Sequence, residues 1–141
     1  MARVLIVGCG CRGRALAREL AVAGHAVRGT TRDAANAPAI AAAEAEPYVG
    51  DPDRIGTLMD ALAGVTVVCW LLGTVPAPAL HGPRLRMLFE KLVDTPVRGV
   101  VYEGAAGASI ALDAAERWRI PVEVLAPGGD ARGAVDRLLG I

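Results

Sequence analysis

The stretch Val4-Leu5-Ile6-Val7-Gly8-Cys9-Gly10-Cys11-Arg12-Gly13 decides how this chain folds. Four apolar residues typical of a strand are followed by three glycines in the spacing Gly-x-Gly-x-x-Gly. Residues 14–23 are rich in Ala and Leu and predict an amphipathic helix, and residues 26–30 predict a second strand. A strand, a glycine turn, a helix and a second strand form the opening unit of a parallel α/β sheet.

Each glycine of the turn is expected to have its own physical role. Gly8 permits a sharp turn because a residue without a Cβ tolerates positive φ. Gly10 lets the backbone approach a diphosphate, and Gly13 lets the helix pack closely on the strand. The first helical turn leaves N–H groups without partners at the positive end of the helix dipole, where an anion is the natural occupant. We therefore expect a dinucleotide there, with Cys11 and Arg12 also in contact; the alternative is a glycine turn that only packs.

The end of the second strand indicates which dinucleotide is preferred. An NAD site usually carries Asp or Glu there, which accepts hydrogen bonds from the ribose 2′-hydroxyl. Residues 27–32 contain no carboxylate, and the first one, Asp33, comes after Arg32. The Arg32 guanidinium can fork onto a 2′-phosphate, and Thr30 and Thr31 can donate to the same group. The sequence thus favours NADP(H) over NAD(H); the alternative is that Arg32 is a solvated loop charge.

Size and composition predict one domain over residues 1–141. Apolar residues make up 53% of the chain but aromatic residues only 4%, so the core must consist mainly of Ala, Val, Leu and Ile. Lys+Arg and Asp+Glu balance at 15 each, which argues against nucleic-acid and membrane-surface partners. No apolar run is as long as a membrane span.

The N-terminus and the cysteines predict a cytoplasmic protein. Only four apolar residues stand between Arg3 and Gly8, too few for a secretory leader. Three cysteines, an odd number, favour a reducing compartment without a disulfide framework. The Cys9-x-Cys11 pair lacks the further ligands that a tetrahedral metal shell needs, so no metal is expected.

Strand and helix signals alternate along the whole chain and predict a doubly wound α/β fold. We expect a parallel six-stranded sheet in the order 3-2-1-4-5-6, with right-handed crossovers and helices on both faces in three layers. The predicted strands are 4–7, 26–30, 47–50, 65–72, 97–102 and 121–125, and the predicted helices are 14–23, 38–45, 52–63, 83–93, 109–118 and 130–139.

Further candidates for the site follow the third and fourth strands. Ligands of an open α/β sheet bind beyond the carboxyl ends of the strands. Leu72, Gly73 and Thr74 are therefore candidates for contact with the cofactor ribose. Asp51 either accepts from the adenine amino group or caps a helix behind Pro52.

Two side chains are candidates for acid–base chemistry. His81 is either an acid or base, or a solvated loop histidine. Glu103 is expected at the carboxyl end of the fifth strand, near the cofactor, where it is a candidate base.

The sequence resembles the start of the atypical or extended short-chain dehydrogenases, the NAD-dependent epimerase/dehydratase-like group. The likeness lies in residues 5–10, 14–20, 24–27, 29–32, 50–52 and 64–68. It extends along most of the chain and is specific up to about Gly73. The resemblance implies an NAD(P) cofactor, hydride transfer, and a nucleotide-sugar or small carbonyl substrate.

The chain departs from that family where catalysis is concerned. The family's Tyr-x-x-x-Lys pair is missing, because Ala106 stands four residues after Tyr102 and Pro52 four residues after Tyr48. No serine stands at the end of the fifth strand, since Ser109 is displaced from it. We also expect no C-terminal substrate lobe, and without one little encloses a substrate.

Three classes of function remain open on the sequence. The first is a stand-alone NADP(H)-binding sensor, regulator or subunit. The second is a small NADP-dependent oxidoreductase or epimerase-like enzyme whose site is completed by a second chain, as in a homodimer. The third is a nucleotide-gated regulatory domain of a potassium-uptake system, although that family usually has an acidic residue where Thr30 stands.

Overall fold

Six parallel strands form one sheet in the order β3-β2-β1-β4-β5-β6 in a computed structural model that describes residues 2–141. This order and the helices on both faces confirm the predicted doubly wound α/β fold. The strands are β1 Arg3–Val7, β2 Ala26–Thr31, β3 Glu46–Val49, β4 Val67–Trp70, β5 Gly99–Glu103 and β6 Val122–Leu125. The helices are α1 Cys11–Val22, α2 Ala37–Ala42, α3 Pro83–Leu92, α4 Ala108–Trp118 and α5 Ala131–Leu139.

The sheet is covered on both faces, as parallel sheets require. On one face Trp70 and Tyr102 pack with Phe89 of α3 and with the apolar side of α4. On the other face β1 and β4 pack against α1 and α5, with Leu20 and Val135 fully buried. The buried positions hold few aromatic residues, in keeping with a core of mainly aliphatic side chains.

The predicted helix 52–63 is wrong. Two short 3-10 helices, Ile55–Leu58 and Asp60–Leu62, stand in its place. Thr57 Oγ1 accepts from the Asp51 backbone N–H at 2.8 Å and donates to the Arg54 carbonyl at 2.7 Å. These bonds compete with helical ones, and Gly56 weakens a helix further.

A buried arginine, which the sequence analysis did not single out, fixes this segment to the sheet. Arg28 of β2 is 8% exposed, and its guanidinium donates to the Ala61 carbonyl at 2.6 Å. The same group lies 3.4 Å from the Glu46 carboxylate. Because Arg28 donates to a carbonyl near the end of the second 3-10 helix, it fixes that segment to β2.

The ends of the other elements differ little from prediction. Helix α1 begins at Cys11, three residues before the predicted start, so Arg12 and Gly13 belong to its first turn. Helix α2 ends at Ala42 and follows a 3-10 turn, Ala34–Asn36, that Asp33 caps by accepting from the Ala35 N–H at 2.9 Å. Among residues 2–141, no helix has both the length and the apolar character to cross a membrane.

Candidate functional site

The glycine turn joins β1 to α1 in the way its sequence predicts. Gly8 has φ +86°, and a Cβ built there would lie 2.6 Å from Leu72 Cδ2 and 2.8 Å from the Leu71 carbonyl oxygen. A Cβ on Gly13 would lie 3.0 Å from the Gly8 carbonyl oxygen. These contacts leave no room for a side chain at either position, so both glycines serve to pack the turn.

Gly10 differs from the other two glycines because it faces open space. A Cβ on Gly10 would meet nothing within 4 Å. Gly10 precedes α1 without any side-chain capping bond, and the first turn of α1 contains no acidic residue. The first N–H groups of α1 are thus free of protein acceptors, which fits a diphosphate.

A cavity of about 630 Å³ opens at this turn, along the carboxyl ends of the strands. This volume lies within the usual range for small-molecule sites. Eleven of the twelve cofactor-binding residues predicted from sequence line it: Gly8, Gly10, Cys11, Arg12, Gly13, Thr30, Thr31, Arg32, Asp51, Leu72 and Thr74. Gly73 is the residue that does not, and its backbone N–H donates instead to Glu103 Oε1 at 3.1 Å.

Part of the cavity wall consists of residues that were not predicted from the sequence. Arg14 and Asn36 line the cavity, and so does most of the segment from Val75 to Leu80. The place of Arg14 near the start of α1 is the signal that could have found it, because the start of a helix is where an anion is expected to bind. The segment after β4 carries no local signal, since only the sheet order brings it opposite the glycine turn.

The end of β2 presents polar groups to the cavity without a free carboxylate. Arg32 is exposed, and Asn36 Nδ2 donates to Thr31 Oγ1 at 3.3 Å. Thr30 is 3% exposed, and its Oγ1 accepts from the Gly8 N–H at 3.3 Å. Thr30 thereby fixes the glycine turn to β2, and its role as a phosphate donor stays a prediction.

Asp51 lies at the far wall of the cavity, after β3. Its Oδ1 accepts from the Asp53 N–H at 2.9 Å, which makes a local turn. The alternative role, capping a helix behind Pro52, is wrong because no α-helix follows. A contact with adenine stays a prediction.

Glu103 ends β5 as a buried carboxylate that is paired on all sides. It is 3% exposed and forms an ion pair with Arg12, whose side chain is 39% exposed. It also accepts from the backbone N–H groups of Gly73 and Gly128, each at 3.1 Å. Both carboxylate oxygens of Glu103 are therefore engaged by donors within the protein.

His81 is not a solvated histidine, so that interpretation is wrong. Its Nδ1 lies 2.7 Å from the Tyr102 hydroxyl and its Nε2 lies 3.3 Å from the Val75 carbonyl. The Gly107 N–H donates to the Tyr102 oxygen at 2.9 Å. Burial raises the pKa of Tyr102, although its bond with Gly107 opposes that shift. The network fastens the segment after β4 to β5 and the start of α4.

The three cysteines occupy different environments. Desolvation raises the pKa of Cys9 to about 11, against the opposing charge of Arg14, and burial raises the pKa of Cys69 to about 12. Cys11 is exposed at the cavity, and Arg14 approaches its sulfur at 3.4 Å. Within residues 2–141, no three His, Cys, Asp or Glu side chains come together as a metal site would require.

Solved structures with the same fold include two reductases complexed with NADP(H) or NADPH and an epimerase. The chain is similar to a Citrobacter triphenylmethane reductase complexed with NADP(H) (TM-score 0.66, 19% identity, 86% of this chain and 48% of that one). It is also similar to a yeast methylglyoxal/isovaleraldehyde reductase complexed with NADPH (0.71, 13%, 88% and 53%). A third is UDP-N-acetylglucosamine 4-epimerase from Bacillus cereus (0.69, 14%, 89% and 53%).

These likenesses show the fold, and the family follows from the sequence. The chain spans about half the length of those three structures. No curated protein matches the sequence closely enough to count as a relative. A family model described as NAD(P)H-binding matches residues 8–139, nearly the whole chain. This protein therefore belongs to the NAD(P)H-binding family, in agreement with its Gly-x-Gly-x-x-Gly turn.

Proposed function

We propose that this chain is an NADP(H)-binding domain that serves as a sensor, a regulator or a subunit. The observation that carries the proposal is the open position at Gly10, where the uncapped start of α1 faces the cavity. A phosphate placed there accepts hydrogen bonds from backbone N–H groups. Cys11, Arg12 and Gly13 would hold the diphosphate through their backbone N–H groups, and Gly10 would leave room for it.

The preference for NADP(H) rests on the groups at the end of β2. Arg32 is exposed at the cavity, beside Thr31 and Asn36. The carboxylate next in sequence, Asp33, accepts from the Ala35 N–H in a local turn and does not line the cavity. A guanidinium without a competing carboxylate favours a 2′-phosphate over a 2′-hydroxyl. Two of the similar structures hold NADP(H) or NADPH, which agrees with this preference.

The binding experiment compares NADPH and NADH on the wild type and on Arg32→Ala. Loss of a charged hydrogen bond to the 2′-phosphate costs roughly 1.5–3 kcal/mol. We therefore expect NADPH affinity to fall about ten- to a hundredfold, with NADH affinity nearly unchanged. Isothermal titration calorimetry with each dinucleotide measures both, because the heat of binding does not depend on which part of the dinucleotide the protein contacts.

Arg18→Ala is the matched control, because Arg18 is exposed on α1 and does not line the cavity. It should leave both affinities unchanged. Equal losses for NADPH and NADH in Arg32→Ala would contradict a role in choosing the 2′-phosphate. Absence of binding by the wild type to either dinucleotide would overturn the proposed function.

A non-catalytic role is favoured by how the acid–base groups are engaged. The Tyr102 hydroxyl is buried between His81 and Gly107, away from the cavity wall. Glu103 is neutralised by Arg12 and bonded to two backbone N–H groups. Neither group is free to exchange a proton with a substrate in the cavity. A sensor needs only to bind NADP(H) and to communicate the bound state to another subunit or to a second copy of the chain.

We accordingly expect no NADPH oxidation above the buffer rate when the protein is mixed with a panel of aldehydes and ketones. The assay follows nicotinamide absorbance at saturating NADPH, at several protein concentrations. Turnover that rises with the square of the protein concentration would instead support an oxidoreductase completed by a second chain. Turnover linear in protein concentration would support a complete enzyme.

A further inference from the structure

The Glu103 carboxylate ties together four segments at the carboxyl edge of the sheet. Its Oε1 accepts from the Gly73 N–H, just after β4, at 3.1 Å. Its Oε2 accepts from the Gly128 N–H, just after β6, at 3.1 Å and also receives the Arg12 guanidinium of α1. The ends of β4, β5 and β6 are thus joined to the phosphate-binding helix.

The Arg12 side chain crosses from α1 to the other half of the sheet. One of its amino groups meets Glu103, and the other approaches Thr74 Oγ1 at 3.4 Å. The cavity described above has Arg12 and Thr74 in its wall. It is lined by residues that follow β1, β2, β3 and β4, but by no residue between 99 and 129.

A doubly wound sheet binds a dinucleotide with two mononucleotide halves, one on each side of the point where strand order reverses. In this chain the open cavity covers the first half and reaches the end of β4, and the rest of the second half, over β5 and β6, is where Arg12 meets Glu103. We propose that this ion pair closes the nicotinamide half, so that the chain recognises the adenosine 2′,5′-phosphate part of NADP(H). This inference rests on the proposed function and specifies the ligand chemistry of the same site.

The burial of Glu103 explains why the pair stays closed. Moving Arg12 onto a diphosphate would leave a carboxylate that is 3% exposed without its guanidinium, held by two backbone N–H groups alone. An unpaired buried charge is strongly unfavourable. A diphosphate would gain little free energy by binding the Arg12 guanidinium instead, because this guanidinium is at the water-exposed end of the ion pair and water weakens its attraction to an anion. The nicotinamide nucleoside therefore adds little affinity.

Calorimetry on the wild type tests this directly with NADPH and with adenosine 2′,5′-bisphosphate. We expect the two dissociation constants to agree within about tenfold. NADPH binding that is more than about tenfold tighter would overturn the inference while leaving the proposed function standing. Failure of both ligands to bind would overturn the proposed function, and this inference with it.

Saturation-transfer NMR on the wild type with NADP⁺ gives a second reading that needs no variant. The adenine protons should receive saturation from the protein, and the nicotinamide protons should stay near the baseline. Equal saturation of both rings would overturn the inference.

The variant Glu103→Gln tests whether the ion pair is the cause. This variant keeps an acceptor for one backbone N–H but releases Arg12. The affinity for NADPH should then rise at least about tenfold relative to the affinity for adenosine 2′,5′-bisphosphate. Glu116→Gln is the control, since Glu116 is exposed on α4 and should not alter the ratio. An unchanged ratio in folded Glu103→Gln would refute the assignment, and if that variant does not fold, the NMR measurement on the wild type decides.

Discussion

Replacing Gly10 by valine is expected to abolish NADPH binding while the protein folds as before. A Cβ at this position meets nothing within 4 Å, and the backbone there is extended and not left-handed (φ −83°, ψ −154°). The cost to stability should be small, about that of changing a helix N-cap. A side chain would instead occupy the space that a diphosphate needs, and we expect affinity to fall at least about a hundredfold.

Calorimetry with NADPH and a thermal unfolding curve measure the two halves of this prediction. Gly56→Val provides the control, because Gly56 also has nothing within 4 Å of its Cβ position but does not line the cavity. That variant should bind NADPH normally. If Gly10→Val bound NADPH as the wild type does, the diphosphate would not lie at this turn.

Replacing Gly8 by alanine is expected to have the opposite outcome, a large loss of stability. Its φ of +86° lies in the left-handed region, which costs an L-residue about 1–2 kcal/mol. The new Cβ would also lie 2.8 Å from the Leu71 carbonyl oxygen, a backbone atom of the segment that follows β4. Overpacking of this kind adds about 1–3 kcal/mol. The sum is a loss of roughly 2–5 kcal/mol.

Gly24→Ala separates the two contributions. Gly24 has φ +92° but nothing within 4 Å of its Cβ position, so this variant carries the conformational cost alone. Urea unfolding should show Gly8→Ala to be less stable than Gly24→Ala by the cost of the collision. Equal losses in the two variants would show that the contact with Leu71 and Leu72 relaxes freely.

The sequence by itself determined the strand order, the glycine turn and most of the cavity floor. These follow from local signals, because apolar runs, helix periodicity and glycine spacing act over a few residues, and parallel strands bring their carboxyl ends to one edge. Eleven of the twelve predicted residues lie together at that edge for this reason.

Only the tertiary structure decided which side chains bond to one another at the carboxyl edge of the sheet. Arg12 and Glu103 stand 91 positions apart, and His81 and Tyr102 stand 21 apart, so no local sequence pattern predicts either pair. The failed helix at 52–63 is a mixed case, since Thr57 bonds to the nearby Arg54 carbonyl, which is a local contact, whereas Arg28 reaches the Ala61 carbonyl from 33 positions away. Such pairings depend on which side chains packing brings within reach, and a buried charge or hydroxyl then bonds to whatever partner lies there.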